Sequence, residues 1–321
     1  MDYTGLYANK YRLNRKLTTE ERTNQFHQNV KLDITPFYNL SVIRMNSTYL
    51  ECVDRWFIYR GSMTAISLLF FALTIAMVTV PLYMFPPAHF VPTRSDVGAM
   101  LFAIPFLAPL WALLSWGVLK ESFRQTHFPI RFNRRTRMVY VFKPNGTLLK
   151  AKWRDIFFTL GRCERMAGVQ NWDIRGHVLD KDRETVLDTF ALPGDTLAVS
   201  QIKHEWEFFR RYMEDGPAAI HEDVFWCHDI AERREKYKAG LVTLFFELNG
   251  QPVGQFLLSP VYFAASLGRW FAMRTSKIPV WPEDIETQCV IEQDDPYVRD
   301  ASNNPEKIPM EPLSVARSRI E

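Results

Sequence analysis

The side chains best suited to chemistry are densest between residues 221 and 228. His221, Glu222, Asp223, Cys227 and His228 are all metal-ligand types, but their spacing matches no closed zinc pattern. Cys227 and His228 are adjacent, and neighbouring side chains diverge on a strand or a helix, which disfavours a nucleophilic dyad. We therefore predict no metal site, no cofactor and no catalytic residue here, and expect surface and capping roles instead.

Motifs that identify common enzyme classes are missing from the sequence. It contains no GxSxG, P-loop, GxGxxG or HExxH run. This absence favours a non-enzymatic protein but leaves one enzymatic alternative, a membrane-associated enzyme or toxin that acts on lipid at the inner leaflet. The polar groups available for that chemistry are His177, His204, His221, His228 and Asp223.

A group of arginines forms the clearest candidate binding feature. Its members are Arg124, Arg131, Arg134, Arg135 and Arg137. Near a membrane surface, each cation contributes about 1 kcal/mol to binding anionic headgroups. We interpret them as a basic membrane rim. Binding of nucleic acid is disfavoured, because the chain has 36 Asp and Glu against 39 Lys and Arg.

The interpretation of these arginines as a membrane rim depends on two apolar runs that precede them, 62–85 and 97–119. Neither run contains Asp, Glu, Lys, Arg or His. A bilayer core of roughly 30 Å needs about 20 helical residues to cross it, so the runs predict a transmembrane hairpin. The second run contains Pro105 and Pro109, which leaves open a further alternative, an oligomeric sensor or pore built on a bent helix.

The distribution of charge predicts the orientation of this hairpin. Lys and Arg are frequent before Gly61 and again between Lys120 and Lys143, whereas Arg94 is the only one in the connector 86–96. Positive residues stay on the cytoplasmic side, so both termini are expected in the cytoplasm and the connector on the opposite side of the membrane. The four cysteines form no CxxC pair, which agrees with a reduced compartment.

Residues 1–61 are predicted to form a cytoplasmic arm and an amphipathic lead-in helix. Thr18 and Glu21 have the spacing of a capping box, which predicts a short helix within 18–29; the equal alternative is a disordered or loosely docked arm. Between Asn39 and Tyr59, apolar and aromatic residues recur at helical spacing. This segment is the expected lead-in helix to the first membrane span.

Residues 120–217 are predicted to form a cytoplasmic strand-rich domain. Asn145-Gly146 separates two alternating runs, which is a strong hairpin signal, and 172–179 with 185–190 reads as a second hairpin. An amphipathic helix is expected over 196–213. The fold class is therefore α+β, and antiparallel strands followed by a helix are typical of a pleckstrin-homology-like module.

The remaining residues are predicted to form a helical and strand extension over 218–290 and a flexible tail over 291–321. Residues 241–248 look like a strand. Residues 256–273 are mostly apolar but are interrupted by Pro260 and Arg269. For that segment we favour an interfacial or buried helix over a membrane span.

Several local motifs resemble a family of uncharacterised bacterial inner-membrane proteins. They are Asn46–Glu51 with Val53–Trp56, Pro129–Arg134, Met213–Pro217, Leu267–Trp270, Met273–Pro279 and Trp281–Glu283. The resemblance implies a transmembrane hairpin, a cytoplasmic domain of unknown function and genes often placed near type VI secretion and toxin genes. It carries over no catalytic residue.

The leading interpretation is thus an inner-membrane-anchored, non-enzymatic protein that binds another protein. The resemblance implies that its partner is a toxin, an effector or a secretion component, and that it acts as an immunity or accessory protein in interbacterial competition. The lipid bilayer is the second expected partner, through the two apolar runs.

Overall fold

The computed structural model describes residues 11–84, 94–164, 170–196, 198–246 and 252–306. Over these residues the chain has two antiparallel five-stranded sheets and seven α-helices. The predicted α+β class is confirmed. Among the helices of the described residues, none is sufficiently long and apolar to cross a membrane.

The first sheet is built mainly from three long strands in the middle of the chain. Its spatial order is β1 (Arg15–Lys16), β10 (Thr185–Thr196), β9 (Gln170–Leu179), β8 (Ile156–Glu164) and β2 (Gln25–Phe26). The predicted hairpin between β9 and β10 is confirmed by their antiparallel pairing. Its turn is held by the Asp182 carboxylate, which accepts from the backbone N–H groups of Glu184 and Thr185.

The second sheet joins strands that lie on either side of the apolar runs in the sequence. Its order is β3 (Val42–Met45), β4 (Tyr49–Cys52), β5 (Ile130–Asn133), β6 (Met138–Phe142) and β7 (Leu148–Lys152). The helices between β4 and β5 are therefore an insertion between neighbouring strands of one sheet. The Asn145-Gly146 hairpin between β6 and β7 is confirmed, and Gly146 adopts the left-handed φ of 82° that its turn needs.

The predicted lead-in helix over 39–59 is corrected by this sheet. Residues 42–45 and 49–52 are strands β3 and β4, and β4 pairs with β5 from Tyr49↔Asn133 to Cys52↔Ile130. Every side chain of β4 is buried. Both faces of β4 are buried, including Glu51, which pairs with Arg131, so the strand lacks the alternation of apolar and polar residues by which periodicity recognises a strand.

The core lies between the two sheets and a helix that follows them, α4 (Val199–Glu214). Ile202, Trp206 and Met213 point from α4 into this core, as the amphipathic pattern predicts. The Trp206 ring stacks on Trp153 with centroids 5.7 Å apart. We call the two sheets with α4 the sandwich.

Two short helices pack against the sandwich. The helix α1 (Thr19–Thr23) has the predicted capping box of Thr18 and Glu21, but it ends early because Gln25 and Phe26 form β2. The short helix α7 (Glu283–Glu286) packs against sheet two through Ile285.

The other helices are α2 (Ser62–Met84), α3 (Arg94–Glu121), α5 (Tyr237–Phe246) and α6 (Pro252–Thr275). Residues 241–246 of the predicted strand 241–248 belong to α5, so the prediction is wrong for them. Residues 247–251 lie outside the described residues. A short apolar run does not by itself distinguish a strand from a helix, and packing against α6 decides it. Most of the predicted connector, residues 86–93, also lies outside the described residues.

The first residues of the predicted flexible tail are docked on the sandwich. Arg299 and Met45 exchange backbone hydrogen bonds of 2.8 and 2.9 Å, and Asn304 bonds both backbone groups of Cys227. These pairings supply partners to an otherwise open strand edge, which is why a polar, proline-rich segment is ordered here. Residues 307–321 lie outside the described residues.

Candidate functional site

The helices α2, α3, α5 and α6 pack together as one helical layer beside the sandwich. Small residues permit close contact between α2 and α6. A Cβ atom built on Gly268 would lie 2.5 Å from the Cβ atom of Ala65, and one built on Gly61 would lie 2.2 Å from the Cα atom of Arg269. Such close backbone approach is typical of helix pairs that associate through packing rather than through the hydrophobic effect.

The outer surface of the helical layer is apolar. Met77 on α2 is 79% exposed and Phe256 on α6 is 78% exposed, and Leu113 on α3 is also exposed. Other exposed apolar side chains on these helices are Leu69, Leu73, Trp111, Leu119, Val253, Leu257, Val261 and Leu267. A contiguous exposed apolar surface of this kind marks a contact with a membrane or with another protein.

A buried ion pair holds α6 to the segments that precede α2 and α5. The Arg269 guanidinium on α6 donates to both carboxylate oxygens of Glu235, at 2.7 and 3.0 Å. Its Nη1 also donates to the carbonyl oxygens of Phe57 and Ile58, at 2.7 and 3.1 Å. Arg269 therefore adds charge-assisted donors to buried backbone carbonyls of the segment before α2.

A second buried arginine joins the two ends of the inserted hairpin. The Arg60 guanidinium, just before α2, donates to the carbonyl oxygen of Glu121 at 2.8 Å and to that of Gln125. The Glu121 carboxylate accepts in turn from the N–H group of Thr64 at 3.0 Å. The C-terminal carbonyls of α3 and the first N–H groups of α2 thus find partners at one junction.

Cations surround this junction on its exposed side. We call them the basic collar: Lys120, Arg124, Lys236, Lys238, Arg274 and Lys277. Arg124 and Lys277 are neighbours, because the N–H group of Lys277 donates to the carbonyl oxygen of Arg124 at 2.7 Å. The collar residues lie at the C-terminal ends of α3 and α6 and at the N-terminal end of α5.

The structure separates the arginines of the predicted rim. Arg124 lies in the basic collar, but Arg131 is buried between the rings of Tyr49 and Trp281 and donates to Glu51 at 2.8 Å. Arg137 pairs with Glu214 of α4.

The two other predicted rim residues, Arg134 and Arg135, follow β5 at the end away from α3. Arg134 is half-buried beside Gly216, and Arg135 is exposed. Strand β5 therefore carries its arginines away from the junction, by about 3.3 Å per residue. Lys236, Lys238, Arg274 and Lys277 were not singled out from the sequence, and the signal that could have found them is the excess of Lys and Arg before α5 and at the end of α6.

The side chains considered for metal or lipid chemistry occupy separate contacts. His221 packs on Tyr297, His204 Nδ1 lies 2.6 Å from the carbonyl oxygen of Thr35, and His177 Nδ1 lies 2.8 Å from Thr189 Oγ1. Burial lowers the pKa of His228 to about 4, and its Nε2 lies 2.7 Å from the carbonyl oxygen of Leu40. Throughout the described residues, no three His, Cys, Asp or Glu side chains are placed to hold a metal ion.

Glu222 and Asp223 instead line an open cleft on the sandwich. The cleft has a volume of about 470 Å³, and Asp33, Pro36 and Arg211 also line it. Arg211 is engaged with the carbonyl oxygen of Ile34 at 2.7 Å and with a carboxylate of α4. The cleft therefore presents mainly negative charge, which suits a basic segment of a partner protein.

Glu205 was not singled out from the sequence; it is a buried carboxylate on α4 that lies against the end of β10. Glu205 accepts from the backbone N–H group of Gly194 at 2.7 Å, near the ion pair of Arg55 with Asp173. Burial, with the nearby charges of Asp195 and Asp173, raises the pKa of Glu205 to about 8. The protonated carboxyl fits this place because a closed site disfavours the charged form.

Stability should fall as the pH rises from 4.5 to about 8, because unfolded Glu205 releases its proton in this window while folded Glu205 keeps it. The Glu205→Gln variant should lack the part of this pH-dependent loss of stability that Glu205 causes. Its amide stays neutral, and the amide oxygen still accepts from the N–H group of Gly194. Urea unfolding of both chains at several pH values measures the two slopes. Equal slopes would contradict the assignment.

A sequence model described as a family of unknown function, DUF6708, matches residues 108–293. The matched segment runs from the middle of α3 through strands β5 to β10 and α4 to the residues after α7, and it leaves out strands β1 to β4. Comparisons with curated proteins and with solved structures gave no match. Because the match covers more than half of the chain, the protein belongs to the DUF6708 family, whose function is unknown.

Proposed function

We propose that this protein is anchored in the inner membrane of a bacterium through α2 and α3, with the sandwich and both termini in the cytoplasm. The observation that carries the proposal is the exposed apolar surface of the helical layer, bordered by the basic collar. The apolar runs 62–85 and 97–119 support it, because they contain no Asp, Glu, Lys, Arg or His. The collar lies on the sandwich side, as the positive-inside rule requires for a cytoplasmic sandwich.

We further propose that the sandwich is a pleckstrin-homology-like module that binds a protein and catalyses no reaction. The acidic cleft beside Asp33, Glu222 and Asp223 supports this role, since its charge suits a basic segment of a partner. The resemblance noted from the sequence motifs favours a toxin, effector or secretion component as that partner. The protein would then be an immunity or accessory protein of interbacterial competition. Equal sensitivity of cells to the neighbouring toxin with and without this protein would contradict the immunity role.

The anchor is tested by washing bacterial membranes with alkaline carbonate. The full chain should stay in the pellet, because exposed apolar side chains on α2 and α3 are held by lipid and not by charge. A variant with Leu69→Asp and Leu73→Asp, both on the exposed surface of α2, should be released or fail to insert. The control is Leu187→Asp, an exposed leucine on the sandwich, which should leave the chain in the pellet. Recovery of the unsubstituted chain in the supernatant would refute the anchor.

A further inference from the structure

We infer that Phe123 and Val280, with the cations beside them, form a second membrane contact that binds anionic phospholipid headgroups and holds the sandwich against the inner leaflet. This inference rests on the proposed membrane anchor. It adds the class of lipid and a contact outside α2 and α3, and its test separates the two proposals.

The two apolar side chains are exposed at places where the backbone is held. Phe123 is 59% exposed, and its φ of 63° lies in the left-handed region, which is unfavourable for a residue with a Cβ atom. Val280 is 80% exposed, a larger fraction than that of any other large apolar side chain among the described residues. It directly precedes Trp281, whose indole N–H donates to Glu51 of the sandwich at 2.9 Å. An exposed apolar group on fixed backbone is available for a contact outside the chain.

Backbone and ring contacts bring the ends of α3 and α6 together at this place. The N–H group of Lys277 donates to the carbonyl oxygen of Arg124 at 2.7 Å. The ring of Phe123 meets the ring of Phe271 edge-on, with centroids 6.3 Å apart. Val280 follows Lys277 by three residues, so the two lie within about 10 Å of each other. We call these exposed groups and the neighbouring cations the headgroup patch: Lys120, Phe123, Arg124, Arg274, Lys277 and Val280.

The four cations of the headgroup patch keep their charge available. The Lys120 ammonium group lies 5.2 Å from the centre of the Trp116 ring, and Arg124 Nε donates to the carbonyl oxygen of Leu119 at 3.3 Å. Neither contact neutralises a charge. In the part of the chain that the structure describes, none of the four cations forms an ion pair with a carboxylate. Cations at a membrane surface attract anionic headgroups, which supply the missing negative charge.

The arrangement of the patch favours lipid over a protein as its occupant. The core of a protein interface is depleted of charged residues, whereas Phe123 and Val280 are separated by Arg124 and Lys277. Aromatic and cationic side chains occur together at the boundary between membrane and water, and Trp116 beside Lys120 is 40% exposed. The patch also begins directly after the apolar run 97–119, so in the proposed anchor it lies at headgroup depth.

Fluorescence quenching in lipid vesicles tests the inference. Single cysteines are introduced as Val280→Cys in the patch, Leu69→Cys on α2 and Lys181→Cys in the turn between β9 and β10, and each is labelled with an environment-sensitive dye. The full chain is reconstituted in phosphatidylcholine vesicles with and without phosphatidylglycerol. Lipids with a nitroxide on the headgroup test residues 280 and 181, and lipids with a nitroxide on the acyl chain test residue 69. The unsubstituted chain gives the labelling background.

With phosphatidylglycerol present, the dye at residue 280 should lose emission and the dye at 181 should keep it. Without phosphatidylglycerol, the loss at 280 should be much smaller, whereas the loss at 69 should be the same in both vesicles. Quenching at 69 but not at 280 would overturn the second contact and leave the anchor intact. Equal quenching at 280 in both vesicles would overturn the preference for anionic lipid, and no quenching at either position would overturn both proposals.

Charge variants test the role of the cations. Arg124→Gln and Lys277→Gln are combined in the chain that carries the dye at residue 280. The binding constant for phosphatidylglycerol relative to phosphatidylcholine, measured by quenching as the lipid mixture is varied, should fall about fivefold for each charge removed.

The matched control combines Lys181→Gln and Arg183→Gln, which remove the same charge from the exposed turn between β9 and β10. The control should keep the relative binding constant of the unsubstituted chain. An equal fall in both double variants would show an effect of net charge alone and would overturn the headgroup patch as the binding site.

Discussion

Replacing Arg269 with leucine should lower the free energy of unfolding by about 3–5 kcal/mol, because Glu235 is left as a buried charge without its partner. The Arg269 and Glu235 side chains are only 1% and 4% exposed, so water cannot replace the lost contact. The substitution also removes the donor to the carbonyl oxygens of Phe57 and Ile58.

The matched control is Arg233→Leu, which breaks an exposed ion pair with Asp229 in the same segment. Exposed pairs contribute about 0–1 kcal/mol, so this variant should behave almost as the unsubstituted chain does. Urea unfolding in mild detergent, followed by tryptophan emission, measures both changes. If Arg269→Leu cost no more than Arg233→Leu, the buried pair would not be what fixes the helical layer. Glu235→Leu added to Arg269→Leu should recover part of the loss, because it removes the stranded carboxylate.

Local patterns in the sequence were sufficient to predict the sandwich hairpins and α4. Asn145-Gly146 fixes the turn between β6 and β7 within a few residues, and the apolar stripe of α4 needs only its own 16 residues to be recognised. The pairing of β4 with β5 could not be found in this way, because the inserted helices lie between them in the sequence. Strand order across an insertion depends on contacts that no local window contains.

The arginines of the predicted rim lie apart in the structure for a related reason. Arg131 and Arg137 have the same charge as Arg124 and lie near it in the sequence, but their partners are Glu51 and Glu214, which are distant along the chain. Whether an arginine is free for a headgroup depends on such partners and on the direction in which β5 leaves α3. Composition alone identified a basic region, and the fold selects the cations that face the junction.

Replacing Gly61 with alanine should be one of the most harmful single-methyl changes in the chain. Gly61 has φ of 89°, and an added Cβ would lie 2.2 Å from the Cα atom of Arg269, a backbone atom that cannot rotate away. Left-handed strain costs about 1–2 kcal/mol for a residue with a Cβ. Overpacking against α6 should add about 1–3 kcal/mol.

Gly146→Ala separates these two contributions, because Gly146 has nearly the same φ, 82°, and an added Cβ there meets nothing within 4 Å. It should therefore show the left-handed strain alone, and the difference between the variants should equal the packing cost at the contact of α2 with α6. Urea midpoints of the two variants in the same detergent measure that difference. A difference close to zero would mean that α6 can move away from Gly61 freely, and the close approach of these helices would then have no role in holding the helical layer together.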